Sequence, residues 1–597
     1  MGRCVPAVRG LYGGGPPELR VRTRKLRRIL RRIFPMLVVG VVAYPLISVI
    51  WHGEPPSQAV YGFLAVWGSV VLGLIWPRAI PVLLAAWTSA LLAQAIMHES
   101  WLRVVAAAAG IIACSIVIWR LEVGIVAVLI LAASIIEPDV IPRPFSFGGQ
   151  GPRVTELLIL LMVVIVYARE SAQRRFEYFK SPMMLPLLLF FAAAAMSVAV
   201  SYTTQLHETS KPWDFHWIYN LLRPLTGYLL FIPVAFGLRT ERQLRSMLRL
   251  VMWLAVAVAV LMVVQQLLGE RVSLFIGGRV TEAYVRQLSA DLNEEVAGGV
   301  VRFAAPGLAL ILWLFLVALA QAAYKGVRLS VTHAAAAAVL GIGLVFSFTR
   351  HFWISTLLSV LIIALVTRGK VGRRIILTAA VAGTVAVLGT LSLGSVAPRT
   401  AGAKFSSALH ERFASILSPN ETLRTESLQN RFRENRYAIR SIKRSPIFGI
   451  GVGSPAHYKE AYNYWYGSRV LFPVYWIHNS YLELWMLYGL FGIGSFAWLS
   501  IAFLIRSFTL FRRAREPEWQ ALGVAFFAAY IGYLERCVTQ MHILHDAHHI
   551  VAVAFMWGIV EVIWRINEES VRKAGGPELT SPAEETAVGR RAGAHVA

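Results

Sequence analysis

Long apolar stretches alternate along the chain with short polar ones that are mostly basic. A helix needs about 20 apolar residues to cross a bilayer, within a range of roughly 17–25. Stretches of this kind fall at residues 35–51, 59–76, 79–97, 104–119, 123–136, 154–168, 182–202, 218–238, 250–268, 303–324, 329–348, 352–367, 375–394, 478–505, 520–538 and 550–564. Several are short, so the pattern predicts about 12–16 transmembrane helices. The expected fold class is an all-α polytopic integral membrane protein with one large loop. The expected divisions are a basic tail at 1–34, a transmembrane helical body at 35–394, the large loop at 395–477, C-terminal transmembrane helices at 478–564 and a disordered tail at 565–597.

Composition supports the same class. Only 15% of residues are charged and 57% are hydrophobic, against about 25% charged in an ordinary soluble domain. This excludes a soluble enzyme, a disordered chain and a collagen-like fibre. The net charge of +25 is distributed by loop. Arg169, Arg174, Arg175 and Lys180 share one side with Arg239, Arg242, Arg245 and Arg249, with Lys325 and Arg328, with Arg368, Lys370, Arg373 and Arg374, and with Arg506, Arg512, Arg513 and Arg515. The alternate loops 52–58, 203–217 and 539–549 contain only Lys211. Basic loops face the cytoplasm, which puts both termini inside and residues 395–477 outside. The N-terminal tail, with nine arginines and Lys25 against Glu18, reads as a segment held near anionic lipid, with no nucleic-acid partner. Cys4, Cys114 and Cys537 are far apart and form neither a disulfide framework nor a thiolate metal motif.

The large loop has twelve Lys or Arg against five Asp or Glu. Attraction to lipid headgroups and a site for an anionic substrate are both open readings of that excess. Residues 395–430 read as an irregular or partly helical excursion. Residues 431–444 suit an amphipathic helix with Phe432, Ala438, Ile439 and Ile442 inward and Arg436, Arg440 and Arg444 on one face. The glycines Gly449, Gly451 and Gly453 that follow could bring backbone close to a phosphate or make a tight turn into the next span.

Four places carry candidate chemistry. His478 sits where the loop enters a span, as a base or as an interfacial histidine without a task. Asn479 could orient it or bind a sugar hydroxyl, and Glu483 could partner it. Arg350 ends a span on the outer side, Arg223 lies inside the span 218–238 and Arg302 opens the span at 303; buried charge in a membrane is a functional sign, with snorkelling as the plain alternative. The histidines of 542–549 have helix-face metal spacing but lack a metalloprotease order, and read as a structural loop. Gly489, Gly492 and Gly494 permit close helix packing.

His478-Asn479, nine residues, Gly489, two residues and Gly492 together resemble the His-(Asn/Ser/Gln)-x9-Gly-x-x-Gly motif of the O-antigen ligase and O-antigen polymerase superfamily. Arg431, Ala438, Ile442, Pro446, Gly449, Gly451 and Gly453 resemble its outer-loop pattern, and SFTR ending at Arg350 resembles its Ser-Arg motif. Thr349 stands where serine is usual, His351 where glycine is common and Asn435 where an aromatic residue is frequent. The resemblance covers roughly residues 300–505. It implies a glycosyltransferase C-like helical body, multi-pass in the bacterial inner membrane, with its site on the periplasmic side. It further implies transfer of a glycan from undecaprenyl diphosphate to another glycan, to lipid A core or to a protein hydroxyl, with no metal and no cofactor. His478 then takes the role of general base in an inverting displacement. Arg350 and Arg431, with Arg436, Arg223, Arg302 and Asn479 behind them, hold substrate. A lipid-linked glycan transporter or flippase and a protein O-oligosaccharyltransferase are the alternative functions.

Overall fold

The computed structural model describes residues 117, 120–135, 153–173, 180–208, 221–268, 274, 307–324, 327–347, 349–396, 426–454, 457–463, 468–474 and 476–573. Both tails as far as residues 1–34 and 574–597, the expected spans at 35–51, 59–76 and 79–97, Arg302 and the excursion up to residue 425 lie outside them. The body is all-helical: α1 (Leu121–Ala133), α2 (Val154–Ala172), α3 (Met184–Glu208), a 3-10 segment (Arg223–Leu230) running into α4 (Phe231–Gly237), α5 (Glu241–Leu268), α6 (Leu308–Tyr324), α7 (Val327–Phe346), α8 (Arg350–Thr367) and α9 (Gly369–Val396). The large loop contributes α10 (Glu426–Arg444) and an antiparallel hairpin, β1 (His457–Asn463) with β2 (Ser468–Val474). The chain closes with α11 (Ser480–Arg513), α12 (Pro517–Arg536) and α13 (Ala547–Lys573). The hairpin is a small exception to the all-α expectation and lies wholly within the loop.

Five of these helices are long and apolar enough to cross a membrane: Met184–Thr203, Glu241–Gln265, Arg350–Thr367, Ser480–Arg513 and Ala547–Arg572. The sequence pattern separates inner helices from outer ones. A helix that is apolar all round must be buried all round. In α6 every residue from Leu308 to Ala323 is buried, and α13 is nearly as enclosed. By contrast α8 leaves Leu357, Leu361 and Leu365 exposed at four-residue spacing, the stripe of a helix facing lipid. Its other face packs on α12 as an antiparallel ladder: Ser359 Oγ donates to Ala528 O (3.1 Å) and Ser355 Oγ to Gly532 O (2.8 Å).

The expected span at 218–238 is not one helix. Pro224 and Pro233 each remove a backbone donor and fix φ, and the segment divides into the 3-10 stretch and α4. It is enclosed by α13, α2 and α1, so these interruptions face protein and not lipid. A second difference concerns α11, which continues past residue 505 to Arg513. Arg506 therefore lies inside a helix and not in a loop. It pairs with Glu561 of α13 through two bonds (3.1 and 2.8 Å) and lies 3.9 Å over the Trp564 ring.

The two ends of the body differ in their polar contacts. At one end Arg239 meets Glu170 (2.8 Å), Arg245 bonds Glu241 (2.7 Å), Glu516 (2.7 Å) and Glu518, and Gln243 bonds Glu122. Three of the loops that the charge asymmetry grouped together, those beside Glu170, at 239–249 and ending at Arg515, meet here. The opposite end collects the starts of α8, α11 and α13, the end of α12 and the large loop.

Candidate active site

At that opposite end Asn479 is the N-cap of α11. Its side-chain oxygen accepts from the backbone N–H groups of Tyr481 (3.2 Å) and Leu482 (3.1 Å), two donors that the first turn leaves without helical partners. The next residue anchors a neighbour. Ser480 N–H donates to Cys537 O (2.9 Å) and Ser480 Oγ to Gln540 O (2.6 Å). The segment joining α12 to α13 is thereby seated against the start of α11.

His478 lies one residue before this cap. Its Nδ1 is 2.9 Å from Glu434 Oε2, and its backbone N–H donates to the same oxygen, also at 2.9 Å. Two bonds to one carboxylate fix both the ring and the backbone that carries it. With Nδ1 bearing the hydrogen, Nε2 holds the lone pair. The imidazole is 33% exposed and Glu434 12%, so the ring is partly open while the carboxylate that holds it is largely enclosed. Glu434 shares the buried face of α10 with Ala438 and Ile442 at four-residue spacing. Arg431, one turn earlier on α10, is half-buried. Burial lowers its pKa, and the Glu434 charge opposes the change. His478, Glu434 and Arg431 thus occupy one patch.

Glu483 is not the partner of His478. It is fully buried, with Oε1 2.9 Å from His545 Nε2 and 3.3 Å from the N–H of Ile477. Burial alone would lower the His545 pKa; the charge and hydrogen bond of Glu483 prevail and raise it. Beside this pair, His542 Nδ1 and His549 Nδ1 both meet Asp546 Oδ2, at 3.0 and 2.7 Å. These three residues have a cation-ligand composition. The two rings stack with centroids 3.9 Å apart and planes 21° from parallel. One candidate ligand atom from each of the three residues lies within 4.8 Å of the others, and both ring Nδ1 atoms are turned to the same carboxylate oxygen. Although burial would raise the Asp546 pKa, the two imidazoles hold it well below the usual carboxylate range.

Arg536, at the end of α12, is fully buried, and among the described residues none of its guanidinium nitrogens has a hydrogen-bond partner. It lies 4.4 Å over the Phe352 ring. Phe352 follows Arg350 by two residues, so Arg350, Arg536 and the start of α11 share one end of the body. His351 adds a ring 6.2 Å from that of His542.

The other predicted residues separate. Arg223 pairs with Glu156 at 3.3 Å and lines a different, small cleft with Arg153, Thr155 and Ala547. Arg436 is exposed on α10, on the side turned away from Glu434. Asn479 spends its side-chain oxygen on the cap. The motif glycines join backbone to backbone. At Gly489 (φ 65°, ψ −164°) α11 kinks, and the bond Ile450 N–H to Met486 O (2.8 Å) ties the loop to it. A Cβ on Gly489 would stand 2.0 Å from Ile447 O, and one on Gly451 would stand 2.5 Å from the Ser201 nitrogen. Gly449 and Gly453 also have positive φ. Gly492 packs beneath Tyr488. Gly449, Gly451 and Gly453 make a tight turn that leads back onto α11.

Residues 335–497 match the family model described as O-Antigen ligase. The matched stretch runs from α7 through the kink of α11 and includes Arg350, Arg431, Glu434 and His478. None of the curated proteins compared matches the chain. The resemblance to the O-antigen ligase superfamily read from the motifs is therefore supported by a match over the same region. It supports a membrane glycosyltransferase of the O-antigen ligase or polymerase type.

Sequence reasoning missed Glu434, Arg536 and the His545–Glu483 pair. For Glu434 a signal was present: it is an acid on the same stripe as Ala438 and Ile442, inside a run of cations.

Proposed function

We propose that the protein transfers a glycan from undecaprenyl diphosphate to an acceptor hydroxyl at the periplasmic face of the bacterial inner membrane, as a ligase or polymerase. The observation that carries this reading is the double hydrogen bond from His478 to Glu434 (2.9 Å each), next to the half-buried Arg431. A base oriented by a third group is the arrangement needed to activate a weak nucleophile.

In the proposed step the acceptor O–H proton moves to His478 Nε2. The acceptor oxygen bonds the anomeric carbon from the side opposite the leaving group. The bond from that carbon to the diphosphate breaks, and the anomeric configuration inverts. Glu434 stabilises the imidazolium that forms. Negative charge grows on the departing diphosphate, and guanidinium groups stabilise it bidentately; Arg350 and Arg431 are assigned that task. Base, orienting acid and arginines supply the proton transfer and charge stabilisation without calling on a metal. A flippase reading leaves the His478–Glu434 pair without a role.

Single-turnover transfer from purified lipid-linked glycan tests the assignment. His478→Ala should slow the chemical step by about 10²–10⁴-fold while binding of undecaprenyl diphosphate stays near wild type. Glu434→Gln should fall between wild type and His478→Ala. Near-normal turnover of His478→Ala would remove the imidazole from the mechanism.

A further inference from the structure

The outward face of α10 has no part in the chemistry above, yet it carries most of the charge of the helix. At 3.6 residues per turn, Lys443, Arg436, Arg440, Arg433 and Arg444 lie within an arc of about 100°, and all of them are exposed. Of the two acids of α10, Glu434 is on the buried face, and Glu426 falls on the arc only at its far end, seven residues before Arg433. Phe432 and Ile439, expected to point inward, border the cationic arc on one edge and are exposed; Tyr437 borders it on the other. Exposed aromatic and aliphatic groups flanking an unbalanced row of cations form the pattern of a helix lying in a membrane interface.

The position of α10 relative to α11 fits that pattern. Beyond the end of α10, Ile447 and Phe448 are exposed, and the Phe448 ring is 6.3 Å from that of Phe491. Phe491 belongs to the exposed apolar side of α11, which continues through Trp498, Ile501 and Ile505. Beyond its kink at Gly489, α11 runs on to Arg513, about 36 Å at 1.5 Å per residue, enough to cross the roughly 30 Å hydrocarbon core. Counting about 20 residues back from Arg512 and Arg513 at its far end puts the other hydrocarbon boundary near Phe491. The end of α10 therefore meets α11 where acyl chains give way to headgroups.

We propose that this face of α10 docks on the anionic phospholipid headgroups of the adjacent leaflet. Lys443, Arg436, Arg440, Arg433 and Arg444 bind phosphate oxygens, and Phe432, Ile439 and Phe448 enter the acyl boundary. The consequence is mechanical: α10 carries Glu434, so the leaflet sets the height and tilt of the helix that orients His478. The lipid contact is independent of the glycan-transfer reading and stands or falls by itself.

The test places a nitroxide at Ile439→Cys in the full-length protein, with Cys4 and Cys114 replaced by Ser and the buried Cys537 retained. The protein is reconstituted in vesicles of phosphatidylcholine alone or mixed with phosphatidylglycerol. Collisions with oxygen report the acyl phase, and collisions with an aqueous nickel chelate report water. Phosphatidylglycerol should move the label from water to the interface. Replacing Arg436, Arg440 and Lys443 by Gln should reverse this, each lost charge shifting the ratio of docked to undocked label by roughly fivefold. A second label at Ile501→Cys should stay in the acyl phase throughout, which verifies insertion. An Ile439 label that is indifferent to phosphatidylglycerol, with the charges intact, would overturn the proposal without any charge variant. A shift produced equally by soluble inositol hexakisphosphate in phosphatidylcholine vesicles would also overturn it and assign the face to a soluble polyanion.

Discussion

His478 and His545 show how the partner of a single imidazole decides its task. Each meets a glutamate at 2.9 Å. The His478 ring is a third exposed; His545 is less so, at 18%, and its Glu483 is fully buried. The second pair ties the start of α11 to the segment before α13. Its effect on stability depends on pH. The folded state raises the His545 pKa above 6.5, so protonation favours folding. That contribution is complete below the unfolded pKa and is lost as pH rises through the folded one. The thermal stability of wild type should exceed that of His545→Gln most below pH of about 6.5, with the difference shrinking as pH rises. Nearby His542 has the opposite tendency, because burial lowers its pKa. The measurement must therefore be a difference between variants at each pH and not the pH profile of one protein. A difference that grows with pH would contradict the pairing.

At the scale of elements, the turn after α10 and the kink of α11 form one joint. The kink at Gly489 interrupts the helical hydrogen bonds, and other groups take the carbonyls. Ile450 N–H bonds Met486 O, Ser197 Oγ donates to Leu487 O (2.8 Å), and Leu490 N–H reaches back to Pro446 O and Ile447 O (3.1 and 3.0 Å). Val452 N–H closes the joint on Ser197 Oγ at 2.8 Å. This joint sets the angle between the helix carrying Glu434 and the helix that begins just after His478. Gly489 occupies a backbone region essentially reserved for glycine, where another residue costs about 1–3 kcal/mol. The Cβ clash with Ile447 O adds to that cost. Gly489→Ala should lower thermal stability and slow transfer, whereas Gly494→Ala, where a Cβ has open space, should change neither. Equal effects of the two substitutions, read by melting temperature and turnover, would mean that the joint does not position the site.

Over the whole molecule, polar groups separate the two ends. The loops rich in Lys and Arg are tied together by ion pairs at one end, as in the Arg245 cluster with Glu241, Glu516 and Glu518. The candidate site occupies the other. If basic loops face the cytoplasm, the site opens outward. In intact cells a membrane-impermeant maleimide should label Arg433→Cys on α10 and leave Arg515→Cys unlabelled until the membrane is permeabilised. The reverse pattern would invert the topology and remove a periplasmic acceptor from consideration.

The sequence by itself determined the class and pointed to the candidate site. Apolar stretches near bilayer length establish a helical membrane body, because backbone groups in lipid must be satisfied within a segment. The order His478, Gly489, Gly492 behind an arginine-rich helix pointed to the candidate site, because its features are local: the cap at Asn479, the kink at Gly489 and the turn after α10 are close in sequence. Spacing could not decide which charges meet. Glu434 and His478 are 44 positions apart, Glu483 and His545 62, and Arg223 finds Glu156 across the body. Nor could it show that Arg436 turns away from Glu434, or that Phe432 and Ile439 are exposed. Periodicity defines two faces of a helix, but only the packing of α10 on α11 decides which one is buried. An ionised side chain in a low-dielectric interior takes whichever opposite charge the fold brings within a few ångströms, so its partner is a property of the tertiary structure alone.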